Sequence, residues 1–421
     1  MAPPAWVILG AVPRVSEQQD ADLSLDLAAP PRVSALTVPP RVSPVQADPT
    51  SGACPWVVTA DPASGLLLLC APPPPPAPTS PPPPAYRNGR LVLNITDIER
   101  RPPAYFVCDV ASATAFRLPQ PGRDPRGLGS EINALNLGVV AAPGAGGGAL
   151  RYMVVEFHYM FADKHATLLC FSSDTGEWVW KPVHNPLGHW IWGRDGVVAH
   201  DGKLWWVDLA GGLIFCDPFA DAPVLDIVPL PESDYHLPGA SCAHCAGRPV
   251  AYRRFVQVSA GKFRCVEWSS RSDDEAPMTE IWADDSYKAA GRTEKNPTFA
   301  LVHPMNPEVL YFFLEEHLFG VDLRAKRVVE CGVYEMVVPP SGKPPNCFSV
   351  RALELPIALS PCSYSDVGSG PNGEEDVISF PGELHQRFVI HVDHHTTRIF
   401  VFHSNDDDNG FLLCSPCRRN R

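Results

Sequence analysis

The sequence predicts an all-β protein, a β-propeller-like ring of about six four-stranded antiparallel blades. Three observations carry that expectation. Proline takes 48 of the 421 positions, which works against long helices, and no clean 3.6-residue apolar stripe runs beyond two turns. Short apolar runs alternate with turn dipeptides. In 193–231 the runs 197–200, 204–209, 213–216 and 224–229 are punctuated by Asp201-Gly202 and Gly211-Gly212. Both dipeptides favour the positive φ angles of two-residue hairpins, so the stretch reads as a four-stranded meander. Finally, the same local pattern recurs as YFVCDVASATAFRLPQ, TLLCFSSDTGEWVWKP, LIFCDPFADAPVLDIVPL, FRCVEWSSRSDDEAPMTEIW and LFGVDLRAKRVVECGV. The anchors Asp109, Ser172, Asp217, Glu267 and Asp322 lie 63, 45, 50 and 55 residues apart. A period near 40–50 residues is that of a propeller blade; seven blades, or two packed sandwiches, are the rival arrangements.

In chain order, residues 1–53 hold β-like runs at 6–12, 23–27 and 32–38, with PPRVS at 30–34 and again at 39–43. These strands are expected to pair with C-terminal ones and close the ring, because an open edge invites aggregation. Residues 54–421 form the propeller-like domain. Its first unit has a hairpin of 56–59 with 66–70, then strands at 90–95, 104–110 and 116–119. A proline-rich loop at 71–85 is inserted there and reads as a polyproline II segment without a specific ligand. Asn94-Ile95-Thr96 fits a glycosylation sequon but reads as plain strand. The second unit comprises 132–140, 150–157, 165–171 and 178–182, and the third is the meander of 193–231. A fourth holds 254–259, 262–268 and 278–282, and a fifth holds 299–303, 309–314, 317–323 and 327–333. The last contains 348–353, 387–393 and 398–403, with a disordered Gly/Ser/Asp/Glu-rich loop at 364–376.

Hydrophobic residues make up 45% and charged residues 19%, with a formal net charge of −13. That is a folded chain with no basic field to hold nucleic acid or an anionic membrane. The apolar run at 6–12 is too short for a span and has no basic residue before it, so no signal peptide is expected. The cysteine count of 13 is odd, and the residues are scattered among strand positions. Buried reduced thiols and a cytoplasmic or nuclear setting follow.

Several motifs touch on chemistry. Cys242 and Cys245 form one CxxC pair and Cys414 and Cys417 another, the number of thiolates a zinc site needs. They are weak candidates, because compact zinc modules keep their pairs much closer in sequence. His391, Asp393, His394 and His395 cluster, but on a strand they fall on both faces. Residues 405–410 resemble the start of a calcium loop, yet Pro416 stands where the bidentate glutamate belongs. Residues 144–149 match GxGxxG/A formally but enter a strand rather than a helix, so no dinucleotide is expected there. GxSxG, Walker and HExxH sequences are absent, and neither a catalytic residue nor a cofactor is assigned. Six tryptophans, Trp178, Trp180, Trp190, Trp192, Trp205 and Trp206, crowd one region. Packing between blades accounts for them, with a possible binding surface formed by Trp190, Trp192 and Arg194 at a loop mouth.

The stretch WGRDGVVAHDGKLWWVDLAGGLIFCDPFADAPVLDIVPLP closely resembles the plant DUF1618 family, expanded in grasses. Positions 195–200, 202, 204–209, 212–213 and 216–219 match the family hallmark, with Ala210 where Ser is common. Residues 6–9 and 61–69, the latter with an extra Ala63, extend the similarity, and 190–340 reads as the DUF1618-like core. The resemblance implies a propeller-like domain similar in style to kelch and F-box-associated modules, and it transfers no functional residue. Two functions therefore stand side by side. One is a non-enzymatic module, monomeric, binding a protein partner through its loops. The alternative is a small-ligand binder or hydrolytic enzyme with its site at the central channel.

Overall fold

The computed structural model describes residues 5–45, 54–74, 85–87, 90–92, 102–122, 132–144, 150–231, 254–268, 285–289, 297–335, 348–355, 388–392 and 395–401. These residues are nearly all β. Strands β1 (Trp6–Gly10), β2 (Arg14–Val15), β3 (Ser24–Asp26) and β4 (Val33–Val38) open the chain. Next come β5 (Trp56–Asp61), β6 (Leu66–Ala71), a small hairpin of β7 (Ala85–Arg87) and β8 (Arg90–Val92), then β9 (Ala104–Asp109) and β10 (Thr114–Arg117). Strands β11 (Leu137–Ala142), β12 (Arg151–Tyr159), β13 (His165–Ser172) and β14 (Glu177–His184) follow, then β15 (Gly196–His200), β16 (Lys203–Asp208), β17 (Gly212–Cys216) and β18 (Asp226–Pro229). After β19 (Arg254–Ser259) and β20 (Lys262–Trp268) comes the short helix α1 (Asp285–Ala289). The chain continues through β21 (Thr298–Val302), β22 (Val309–Leu314), β23 (His317–Asp322), β24 (Arg327–Val333), β25 (Val350–Glu354), β26 (Phe388–Val392) and β27 (His395–Val401).

They assemble into five four-stranded sheets and one of five strands, besides the β7–β8 hairpin. Sheet A runs β25-β1-β4-β2, with β3 also on β4; sheet B runs β5-β6-β9-β10. Sheet C is β11 to β14 in order, sheet D is β15 to β18, and sheet F is β21 to β24. Sheet E runs β19-β20-β27-β26. Sheets B to F are antiparallel throughout, whereas β4 runs parallel to β1 and to β2.

Two pairings depart from the simple order of units along the chain. The strand at 350–354 is not part of a terminal unit: β25 pairs antiparallel with β1, from Trp6 opposite Glu354 to Gly10 opposite Val350. The β26–β27 hairpin instead completes sheet E, with Arg264 opposite Val401 and Trp268 opposite Thr397. The strand expected at 278–282 lies outside the described residues, and β27 holds the place beside β20. Period-2 alternation shows that a segment is a strand; it does not say which edge that strand pairs with.

The hairpins of sheet D separate two uses of glycine. Asp201 and Gly202 adopt φ of 52° and 67°, as a two-residue turn of right-handed twist demands. Gly211 and Gly212 do not belong to such a turn. Asp208 pairs with Gly212, so three residues span the gap, and neither glycine is in the left-handed region. Close approach explains both. A Cβ on Gly211 would come 2.0 Å from the Trp190 ring, and one on Gly212 would come 2.6 Å from the Val228 carbonyl oxygen.

Each apolar cluster lies between two sheets. Val7, Leu9, Val57, Leu67 and Phe106 join A to B. Leu68, Val107, Leu137 and Phe171 join B to C, and Phe157, Leu168, Trp206 and Ile214 join C to D. Trp205, Leu213, Val256 and Cys265 join D to E, Val266 meets Phe312 and Phe319 between E and F, and Ile8, Leu301 and Tyr311 join F back to A. Adjacent residues of one strand thus serve opposite interfaces: Trp206 packs toward C and Trp205 toward E. This two-sided burial is why strands such as β6 and β22 are apolar throughout instead of alternating with polar residues.

Polar bonds stitch the same interfaces. The Trp206 indole N–H donates to the Asn136 carbonyl at 2.9 Å, and Trp178 Nε1 donates to the Pro119 carbonyl at 2.7 Å. Arg254 reaches the Leu209 and Pro231 carbonyls at 3.0 and 2.5 Å. Val57 N–H donates to the Ala11 carbonyl at 2.7 Å. A buried carbonyl left without its donor costs more than the bond itself contributes, so these contacts define which sheets may lie side by side.

Candidate functional site

Strands β5, β11, β15, β19, β21 and β25 are the edge strands of sheets B, C, D, E, F and A. Residues from all six line one cavity of about 410 Å³, within the range of small-molecule pockets. Its walls are mainly apolar: Val58, Val140, Val198, Phe255, Leu301 and Val350. Consecutive residues such as 58–61, 197–200 and 255–258 line it, because these strands meet the cavity with an edge and not with one face.

Most polar groups on the wall hold the sheets to one another. Thr59 Oγ1 donates to the Val197 carbonyl at 3.0 Å, tying β5 to β15. Asp61 accepts the Ala141 N–H at 2.9 Å and the Ser64 hydroxyl at 2.8 Å. Gln257 bridges E to F twice, donating to the Val302 carbonyl at 2.7 Å and accepting the Val302 N–H at 3.1 Å. Asp195 accepts the Leu209 N–H at 2.8 Å.

A different group gathers at His200. This residue ends β15, lines the cavity and packs edge-on against Phe263 at 5.3 Å. Burial pushes its pKa below the ordinary histidine value, opposed by the Asp201 carboxylate, a hydrogen bond to the Gly261 backbone and the Glu354 carboxylate. Burial winning over two nearby anions leaves the imidazole neutral at pH 7, able both to donate and to accept a hydrogen bond. Among the described residues Arg351 supplies the one guanidinium of the wall, and its Nη1 donates back to the Val350 carbonyl at 3.2 Å.

The three residues of the expected loop surface separate. Trp192 is 3% exposed and belongs to the core between C and D. Its backbone N–H bonds Tyr159 Oη at 2.8 Å, so the chain there turns the ring inward and removes it from any rim. Trp190 is half-buried, with its indole N–H 3.3 Å from Asp208, and Arg194 alone is exposed. Beside them lies an apolar surface whose signal is hidden in sequence. Phe161 is 52% exposed, Met160 46% and Ile191 43%. The two loops carrying them are sewn together by Ala162 N–H to the Gly188 carbonyl at 3.0 Å and by Asn185 Nδ2 to the Asp163 carbonyl at 2.7 Å. Phe161 also packs edge-on against His189 at 5.8 Å.

Cys242, Cys245, Cys414 and Cys417 lie outside the described residues, as do Asp393, His394 and residues 145–149, 364–376 and 405–410. The seven described cysteines carry free thiols. Burial pushes Cys70, Cys108, Cys170 and Cys216 up to about 12, which leaves negligible thiolate at neutral pH. Iodoacetamide at pH 8 is therefore expected to leave these four unmodified in the native protein and to alkylate them in guanidinium, as read by peptide mass spectrometry. Rapid native alkylation of any of the four would contradict the packing described above. Among the described residues no cluster of three or more potential ligands is placed to hold a metal, and no helix is long and apolar enough to cross a membrane.

The fold and cavity define the chain as a multi-sheet β protein with a site enclosed by sheet edges. Residues 206–275 match the family described as "Protein of unknown function (DUF1618)", which supports the family that the WVDLAGG and CDPF segments resemble. No curated protein sequence matches. Among solved structures, hydrazine synthase of Kuenenia stuttgartiensis is similar at 12% identity with a TM-score of 0.28, covering 72% of this chain and 84% of that one. AztD of Citrobacter koseri is similar at 12% identity with a TM-score of 0.20, over 56% of this chain and 79% of that one. Likeness at this level assigns no activity to the chain.

Proposed function

We propose that the protein is a non-enzymatic interaction module built as a six-bladed, β-propeller-like ring, which docks a protein partner on the loop surface around Phe161 and Ile191. The ring reading is supported by the order of packing, in which each of the six sheets packs on the next in turn and F packs on A. In it, residues 1–53 close the circle through β1 and β25, in the style of kelch and F-box-associated modules. The exposed apolar patch carries the functional reading. Large side chains held in water on two loops bonded to each other are costly unless something covers them, and aromatic residues are common anchors of protein interfaces. The polar side chains of the cavity wall support the non-enzymatic part, since Thr59, Asp61 and Gln257 already bond backbone across the sheets. Buried thiols fit a cytoplasmic or nuclear setting, with a monomer as the binding unit.

Phe161→Asp combined with Ile191→Asp tests the reading. Both positions are exposed, so circular dichroism and melting temperature are expected to match the parent protein. In quantitative affinity purification from grass leaf extract, a partner held reproducibly by the parent protein is expected to fall by about tenfold or more, the scale of one lost anchor. Equal capture by both proteins, or no reproducible partner for either, would overturn the proposal.

A further inference from the structure

We propose that the cavity between the six edge strands is a binding site for a small organic cation, a protonated amine carried on an apolar ring-sized body. Its shape and charge are independent of the loop surface at Phe161, so it stands or falls apart from the interaction reading. The cavity is large enough for a molecule of several rings, and its wall is mostly hydrocarbon: Val58, Val198, Phe255, Leu301 and Val350 come from different strands of five sheets. Apolar walls with a few convergent polar groups are what a ligand site requires.

The charge on the wall selects the ligand class. Among the described residues four carboxylates line it, from Asp61, Asp195, Asp201 and Glu354, against the single guanidinium of Arg351. Asp61 and Asp195 accept backbone N–H groups and act as part of the frame. Asp201 and Glu354 are exposed, line the cavity together with His200 and both act electrostatically on its imidazole. A neutral imidazole and two carboxylates on the same wall present an acceptor and two anions to an ammonium group. An anionic ligand would meet repulsion from both carboxylates, and a purely apolar one would leave these polar groups unused.

The probes are three molecules on one skeleton: 2-(1-naphthyl)ethylamine, 2-(1-naphthyl)ethanol and 3-(1-naphthyl)propionate. Calorimetric titration of the full chain at pH 7 is expected to show saturable one-to-one binding of the amine. Its affinity should exceed that of the alcohol by about tenfold, a ratio consistent with two partly solvated charge contacts, and the propionate should bind more weakly still. Asp201→Asn with Glu354→Gln is expected to bring the amine down to the alcohol's affinity and leave the alcohol unchanged. Both substitutions are isosteric, and asparagine tolerates the φ of 52° at position 201. Absence of saturable binding, equal affinity for amine and propionate, or an undiminished amine affinity in the double variant would each overturn the assignment. A lost partner in the Phe161→Asp and Ile191→Asp protein, with amine affinity intact, would separate the two proposals.

Discussion

Trp206→Ala is expected to destabilise the protein by about 3–5 kcal/mol, the range for removing a large buried aromatic ring. Trp206 is fully buried. Its ring packs tilted against Phe157 at a centroid distance of 5.7 Å, in the cluster that also holds Leu168, Leu204 and Ile214. Its indole N–H is also the donor to the Asn136 carbonyl. Truncation therefore opens a cavity between sheets C and D and orphans a buried acceptor. Trp206→Phe separates the two effects: most of the ring remains and the donor goes, for an expected loss of about 1–3 kcal/mol. Urea denaturation followed by tryptophan fluorescence and circular dichroism reads both. A loss under about 1 kcal/mol for the alanine variant would mean that the C–D interface is not the packed boundary described here.

Ile8→Ala is expected to cost about 2–5 kcal/mol, the range for deleting a buried isoleucine side chain. Strand β1 is buried on both faces. Val7 and Leu9 pack with sheet B, whereas Trp6 and Ile8 pack with sheet F beside Leu301 and Tyr311. The residue opposite Ile8 in the ladder is Ala352, too small to fill the space left behind. Because β1 joins the first and last parts of the chain, the loss should fall on cooperativity as well as on the midpoint. The urea transition is expected to move to lower concentration and to stay single. A separate early transition confined to the N-terminal strands would show that they are an accessory to an independently stable remainder.

The class and the strands were legible because their physics is local. Alternation and two-sided apolar runs mark β16, β17 and β22, and Asp201-Gly202 marks its hairpin by backbone geometry alone. Partner choice was less legible. The β1–β25 ladder and the seat of β27 beside β20 depend on which edges the whole fold brings together, and no residue of 350–354 announces that. Gly211 and Gly212 show the same limit within one hairpin: glycine serves positive φ or close approach, and only the position of the Trp190 ring decides which. At the site, His200 sat in view inside the DGVVAHDG segment, but Glu354, which lines the same cavity, lies 154 residues further along the chain. Phe161 and Ile191 carry no pattern at all. They sit on two loops bonded to each other, whereas the bond of the Trp192 backbone to the Tyr159 hydroxyl turns that ring inward.

Native-state hydrogen exchange on β1 is the sharpest test of the proposed ring, in which six sheets, sealed by the N-terminal strand, form one cooperative body around the cavity. Amides bonded in ladders that open only with global unfolding share a single free energy of exchange. The slowest amides of Trp6–Gly10 are expected to exchange at the same limiting free energy as those of Lys203–Asp208, and Ile8→Ala is expected to lower both equally. Exchange of the β1 amides orders of magnitude faster than those of β16, unaffected by the substitution, would contradict it.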